Sequence, residues 1–159
     1  ALDAGFSYAA DRGASEIITF DADGQFDAKI LGAVKAAMSE TGVKLVIGVR
    51  PEFARFGEWL FGKYTQMRFG VADILCGVKG YSVSLQKEYG RFDSGSSVGT
   101  ELALYALRRN VRFVTVSAPV RPRADAVSRF GSGWRANKRI LHALCQAVCD
   151  DLASLRRRT

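Results

Sequence analysis

Proline, cysteine and long apolar runs are all scarce in this sequence, and each shortage removes a class of protein. With three prolines in 159 residues and an even mix of apolar and polar side chains, the composition is that of an ordinary globular chain. The three cysteines, Cys76, Cys145 and Cys149, are an odd number and imply no disulfide framework, so a reducing, cytoplasmic compartment is expected. No apolar run approaches the roughly 20 residues that a membrane span needs. The start shows no basic stretch followed by an apolar one, as a secretory leader would. Instead residues 1–11 read as a helix already under way, with Leu2 and Phe6 on one face, so further chain is expected upstream of Ala1. The single histidine, His142, shares one predicted helix with Cys145 and Cys149. One helix cannot wrap three of its own side chains tetrahedrally around zinc, so core cysteines and a partly exposed histidine are expected instead.

What the chain has in excess is positive charge: 23 basic against 16 acidic residues, a net +7. That balance favours anionic partners, whether nucleic acid, phosphorylated small molecules or an anionic membrane. The length suits one domain with a real core. Apolar periodicity lays out an α/β order. After the opening helix, 16–20 is a strand and 27–40 a helix with Ile30, Leu31, Val34 and Met38 as its stripe, capped by Asp27 and stopped at Gly42. A second strand, 44–49, makes this a parallel βαβ unit. Residues 53–69 read as a helix burying Phe53, Phe56, Trp59, Leu60, Tyr64 and Met67. A short strand near Tyr81, a helical turn at 84–89, a Gly/Ser-rich loop at 93–99, a helix at 100–110 and a strand at 111–117 follow. A basic loop at 119–133 leads into a last helix, 134–155, with Leu141, Leu144, Val148, Leu152 and Leu155 along one face. Its basic end, Arg156 to Arg158, is explained by the helix dipole, and an amphipathic helix of this kind can also lie on an anionic membrane.

The chemistry gathers around residues 17–25, where four strand-forming residues run into Asp21-Ala22-Asp23-Gly24-Gln25. A strand that ends in two carboxylates presents them at the carboxyl edge of a sheet, where open α/β sheets bind ligands. Two hard oxygen donors there suit Mg²⁺ or Mn²⁺ in contact with phosphate oxygens. An acidic turn with no ligand is the alternative. An EF-hand would need Glu at the twelfth position, where Gly32 stands. Phe20 to Gly24 is also similar to the nucleophile motif of haloacid-dehalogenase-type phosphatases, although Gln25 replaces its Thr and no fitting downstream Lys and acid pair follows. Arg50, at the end of the second strand, reaches the same edge as either a phosphate ligand or a counter-ion to the acids.

The order of motifs resembles the family 2 glycosyltransferases of GT-A fold, in particular the polyprenyl-phosphate (dolichol-phosphate) mannosyl- and glucosyltransferase branch. Asp21-Ala22-Asp23-Gly24-Gln25 matches its DxD region, and Gly48-Val49-Arg50 its Gly-Ser-Arg strand end. Asp73 with Cys76-Gly77-Val78-Lys79-Gly80-Tyr81 matches its D-x-x-C/S-G-F-[KR]-x-[FY] segment. Glu101-Leu102 matches its Glu-Leu helix start, and Arg123 with Ser128-Arg129 its basic loop, with Ala126 where the family has Gly. The resemblance implies a GT-A, Rossmann-like mixed sheet flanked by helices, with residues 1–133 as the C-terminal portion of the transferase domain and 134–159 as an amphipathic helix and basic tail. Two upstream βα units, about 60–80 residues, would supply the nucleotide-base site.

For function, the resemblance implies transfer of a sugar, with inversion, from a nucleotide-sugar to a phosphorylated lipid acceptor, polyprenyl phosphate. Asp21, Asp23 and Gln25 would hold Mg²⁺ or Mn²⁺ on the donor diphosphate, with Arg50 beside it. Arg123, Ser128 and Arg129 would grip the diphosphate or the acceptor phosphate. A phosphate acceptor needs no strong base, whereas a hydroxyl acceptor would call on Glu101. Peripheral attachment to the cytoplasmic membrane face through the last helix is expected, and no nucleic acid partner. A non-catalytic module that binds anions is the remaining alternative.

Overall fold

The structure, a computed structural model, describes residues 2–92, 98–121 and 133–156. Among them six helices surround one mixed sheet of four strands, β1 (Glu16–Thr19), β2 (Leu45–Val49), β3 (Lys79–Ser82) and β4 (Phe113–Ser117). The order across the sheet is β1-β3-β2-β4. Strand β3 runs antiparallel to both neighbours, pairing Thr19 with Lys79 on one side and Ile47 with Lys79 on the other. Strands β2 and β4 are parallel, with Val49 opposite Ser117. The C-terminal ends of β1, β2 and β4 and the start of β3 therefore share one edge.

This corrects the simple βαβ reading. β1 and β2 do run in the same direction around α2 (Lys29–Thr41), but β3 is inserted between them. Strand β3 is only four residues long, with Gly77 just before it and Gly80 within it, so its pairing partners are not visible from local pattern. Helix α2 forms where expected, with Ile30, Val34 and Met38 buried, Leu31 only half-buried and Gly42 closing it in the left-handed conformation. Its N-cap, however, is Ala28 rather than Asp27, whose carboxylate accepts from the Lys29 amide instead. The α2 ridge lies directly on Gly80, where a Cβ would come within 2.7 Å of both Val34 Cγ1 and Met38 Sδ. Val46, Cys76, Val78 and Ala118 complete that side of the core.

The opposite face, built on Leu45, Ile47 and Tyr81, is covered by α1 (Leu2–Asp11), α3 (Phe56–Phe69), α4 (Val83–Tyr89), α5 (Glu101–Arg108) and α6 (Gly133–Arg156). Phe6 of α1 stacks on Phe92 at 4.7 Å and meets Tyr81 edge-on. Helix α5 buries Leu102, Leu104, Ala106 and Leu107, while Tyr105 stays half-buried and Arg109 outside.

Two helices present faces that the periodicity assigned correctly only in part. Helix α3 buries Gly57, Glu58, Phe61, Gly62 and Thr65. Of the expected stripe, Leu60 and Tyr64 do pack against the core, whereas Phe56 is 64% exposed, Trp59 44% and Met67 88%. The reason is close packing, since α3 approaches its neighbours through glycines. A Cβ on Gly62 would stand 2.5 Å from the Ala72 carbonyl, and one on Gly57 3.0 Å from Asn137 Oδ1. Helix α6 buries Ala136, Ile140, Ala143, Leu144, Ala147 and Asp151, which leaves Leu152 and Leu155 exposed. Cys145 and Cys149 are exposed too, not in the core, because the small alanines one turn-face away make the contact; His142 is exposed beside them. Among the described residues no helix is long and apolar enough to cross a membrane.

Candidate functional site

At the shared strand edge, β1 delivers Asp21 onto a glycine. The Asp21 carboxylate lies against the Cα of Gly77, so close that a Cβ there would be 2.6 Å from Oδ1 and nearer still to Oδ2. The turn beneath is held on both sides. Thr19 Oγ1 donates to the Gly77 carbonyl at 2.9 Å, with the Lys79 carbonyl at 3.3 Å. Lys79 Nζ donates to the Cys76 carbonyl at 2.5 Å. The Lys79 side chain is buried, and burial pushes its ammonium below the ordinary lysine range against the opposing pull of Cys76, Asp73 and Asp21. Burial likewise pushes the Cys76 thiol up.

Asp23, two residues on, accepts a hydrogen bond from the Gln25 amide at 3.1 Å, and Gly24 takes a φ of +78° that makes the turn possible. The next residues tie the acidic turn to the strand after β4. Phe26 bridges Val120, the Arg121 amide donates to the Gln25 carbonyl at 2.8 Å, and Arg121 Nη2 reaches Asp27 Oδ2 at 2.5 Å. Asp27 also accepts from the Lys29 amide, and that bond, ahead of Arg121, holds its carboxyl below the usual range. The basic segment that follows β4 thus starts beside the acids. Arg123, Ser128 and Arg129 themselves lie outside the described residues.

Arg50 is engaged as a counter-ion, but to acids other than Asp21 and Asp23. Its guanidinium forks onto Asp73, Nε to Oδ2 at 2.7 Å and Nη2 to Oδ1 at 3.0 Å, with Glu58 Oε2 3.4 Å from Nη1. Burial opposes the charge, yet the bond and charge of Asp73, helped by Glu58, hold the guanidinium above its ordinary range. Asp73 also accepts from the amides of Arg50 and Leu75, so it fixes the end of β2 to the loop before β3. Asp73, Gly77 and Lys79 lie in the segment matched to the family pattern, but no individual role is legible for them in the sequence, and Glu58 carries no signal there at all.

A cavity of about 670 Å³ opens over this edge, walled by Asp21, Gln25, Arg50, Lys79 and Arg121, with Val98 and Gly99 on its far side. Asp23 stands beside the cavity rather than in its wall. Val98 adopts a φ of +55°, a strained conformation for a β-branched residue, immediately before α5. Glu101, in the first turn of α5, is not in the cavity wall, and its Oε1 accepts from Tyr89 Oη at 2.5 Å and pairs with Arg91 Nε at 2.7 Å.

Among the described residues, no three His, Cys, Asp or Glu side chains gather to cage a metal. Asp21 and Asp23 offer a two-carboxylate edge. That donor set does not fit structural zinc or calcium, but it fits Mg²⁺ or Mn²⁺, which are bound through one or two carboxylates with phosphate oxygens completing the shell.

No protein-family model and no curated protein sequence matches the chain. Solved structures do. The crystal structure of glucosyl-3-phosphoglycerate synthase from Mycobacterium tuberculosis in complex with phosphoglyceric acid superposes with a TM-score of 0.62 at 14% identity, over 91% of this chain and 53% of that one. The same enzyme with Mn²⁺, uridine diphosphate and phosphoglyceric acid gives 0.62 at 13% identity, over 91% and 52%. With Mn²⁺, UDP-glucose and phosphoglyceric acid it gives 0.59 at 14% identity, over 91% and 53%. The likeness establishes a GT-A-type glycosyltransferase fold, and the chain spans about half the length of the structures it matches.

Proposed function

We propose that the chain supplies the metal- and diphosphate-binding part of a nucleotide-sugar glycosyltransferase. The observation that carries this reading is the Asp21 carboxylate seated on Gly77, in a turn that the buried Lys79 side chain ties down, at the ligand-binding edge of a GT-A sheet. Asp21 and Asp23, with Gln25 assisting, would hold Mg²⁺ or Mn²⁺, and the solved neighbours that contain Mn²⁺ and uridine diphosphate support the choice. When bound, the metal supplies Lewis-acid neutralisation of the leaving nucleoside diphosphate. Lys79 holds the same turn from beneath by donating to the Cys76 carbonyl. Arg50, locked to Asp73 and Glu58, shapes the cavity wall and reaches the donor through its remaining exposed edge. Arg121 starts the basic loop whose Arg123, Ser128 and Arg129 would close over the phosphates.

The acceptor in this reading is a phosphate ester. An anionic phosphate oxygen attacks the sugar without a strong base, which suits a cavity whose nearby acids Asp73 and Glu58 are both committed to Arg50. Glu101, the base for a hydroxyl acceptor, is engaged by Tyr89 and Arg91. The motif order favours polyprenyl phosphate; the neighbours solved with phosphoglyceric acid carry a phosphate ester of another kind. Competition of the two for the loaded protein distinguishes them. A phosphatase using Asp21 as nucleophile is disfavoured, because β1 is an edge strand whose partner β3 is antiparallel, not part of a doubly wound parallel sheet.

The test is equilibrium binding of uridine diphosphate in Mn²⁺. Asp21→Asn and Asp23→Asn should each weaken it by about tenfold or more, since even outer partners of metal ligands are worth that much. Circular dichroism should not change. A phosphatase would instead trap phosphoaspartate at Asp21 and lose it in Asp21→Asn, and an anion-binding module would bind equally with or without Asp23.

A further inference from the structure

We infer that the outer face of the α3 and α6 pair is a seat for an anionic membrane surface, with Phe56, Trp59 and Trp134 as its apolar anchors and Lys63 and Lys138 as its cations. The sequence contains two tryptophans, a residue type that normally buries most of its surface. Both stand out on this layer, Trp59 at 44% exposure and Trp134 at 80%. The two helices lie side by side and run the same way. Near their starts the Gly57 amide donates to Asn137 Oδ1 at 3.0 Å, and near their ends Arg68 Nε meets Asp151 Oδ2 at 2.6 Å.

On α3 the exposed positions Phe56, Trp59, Lys63 and Met67 recur at three and four residues and form one continuous stripe. Phe56 and Trp59 stack at 5.7 Å, and Lys63 Nζ lies 5.9 Å from the Trp59 ring, so the ammonium sits over an apolar platform. On α6 the exposed residues include Trp134, Arg135, Lys138, Arg139 and Leu152.

Charge selects the occupant. Glu58 and Asp151 are buried in ion pairs, so Asp150 is the one exposed acid on the two helices, and Arg108 faces it at 3.9 Å. Tryptophan and phenylalanine interleaved with lysine and arginine on a helix face suit the headgroup region of an anionic bilayer, with rings at the interface and ammonium groups among the phosphates. A second copy of the chain would oppose two basic faces, which is unfavourable. The placement also has a use. The N-terminal ends of both helices border the cavity, through Arg55, Glu58 and Ile140, and the same ends carry Phe56 and Trp134. A membrane on this face would lie on the two helices that also contribute to the cavity wall. It differs from docking by the basic end of α6 alone, and it does not depend on the metal site.

The experiment mixes the full chain with vesicles of phosphatidylglycerol and phosphatidylcholine, or of phosphatidylcholine alone, and follows sedimentation and tryptophan emission. The expected result is partition onto the anionic vesicles with a blue shift that persists in Trp134→Phe, where Trp59 is the sole reporter. Phe56→Ser with Trp59→Ser should lower partition about tenfold, removing two interfacial rings. Lys63→Glu with Lys138→Glu should lower it further than several-fold and flatten its salt dependence. Asp21→Asn should partition like the parent, which keeps this inference separate from the transferase reading. No partition onto either vesicle, or partition unchanged by Phe56→Ser with Trp59→Ser, overturns the proposal. So does vesicle-free self-association, seen by sedimentation velocity, that the same double variant abolishes, since that assigns the face to a second copy.

Discussion

Gly77→Ala should abolish tight metal-dependent nucleotide binding while leaving the fold nearly intact. The added methyl group falls inside the Asp21 carboxylate, whose Oδ1 would be 2.6 Å away. Asp21 is exposed and its carboxylate is the free end of a side chain, so it can swing aside. The stability change should therefore stay within about 1 kcal/mol, as for surface changes that relax freely. The site has no such freedom. With Thr19 and Lys79 holding the Gly77 turn from beneath, the carboxylate has one seat, and displacement removes a metal ligand. Affinity for uridine diphosphate in Mn²⁺ should fall about tenfold or more. Gly48→Ala is the contrast: its Cβ would meet the Val78 carbonyl at 2.8 Å and Cys76 Sγ at 2.9 Å, so stability should fall by about 1–3 kcal/mol through overpacking. Thermal unfolding and calorimetric titration of both variants separate the two effects. Unchanged affinity in Gly77→Ala would mean that Asp21 holds no metal.

Asp73→Ala should cost about 3–5 kcal/mol of stability, the penalty for leaving one member of a buried ion pair alone. Asp73 is 1% exposed and Arg50 16%, and the carboxylate accepts two guanidinium and two backbone bonds. Glu58 at 3.4 Å compensates in part, which places the loss toward the lower end of that range. Replacing both partners by leucine should recover most of it, because the burial cost of the charges disappears with them. Urea unfolding of the single and double variants measures both. A loss below about 1 kcal/mol for Asp73→Ala would show the pair to be solvent-screened.

Much of this was legible in the residues and some was not. The acidic turn, α2 with its Gly42 stop and the apolar β2 follow from local pattern, because each is set by neighbours in sequence. The position of β3 between β1 and β2 is a long-range pairing of a short strand, which local periodicity does not encode. The faces of α3 and α6 were read correctly only in part: Leu60, Tyr64, Leu141, Leu144 and Val148 meet the core, but glycines and alanines that allow close approach take the rest of the contact and leave Phe56, Trp59, Met67, Leu152 and Leu155 outside. Arg50 was placed at the right edge, but its partner Asp73 is 23 residues away and comes to it only through the fold.

The most direct test of the central claim is a titration of the chain with uridine diphosphate, once in Mn²⁺ and once in excess chelator. A site built on Asp21 and Asp23 predicts binding in Mn²⁺ that weakens by about tenfold or more when the metal is withdrawn, since the two carboxylates would hold a metal that would offset the charge of the diphosphate. Equal affinity in both conditions, or none in either, would contradict it.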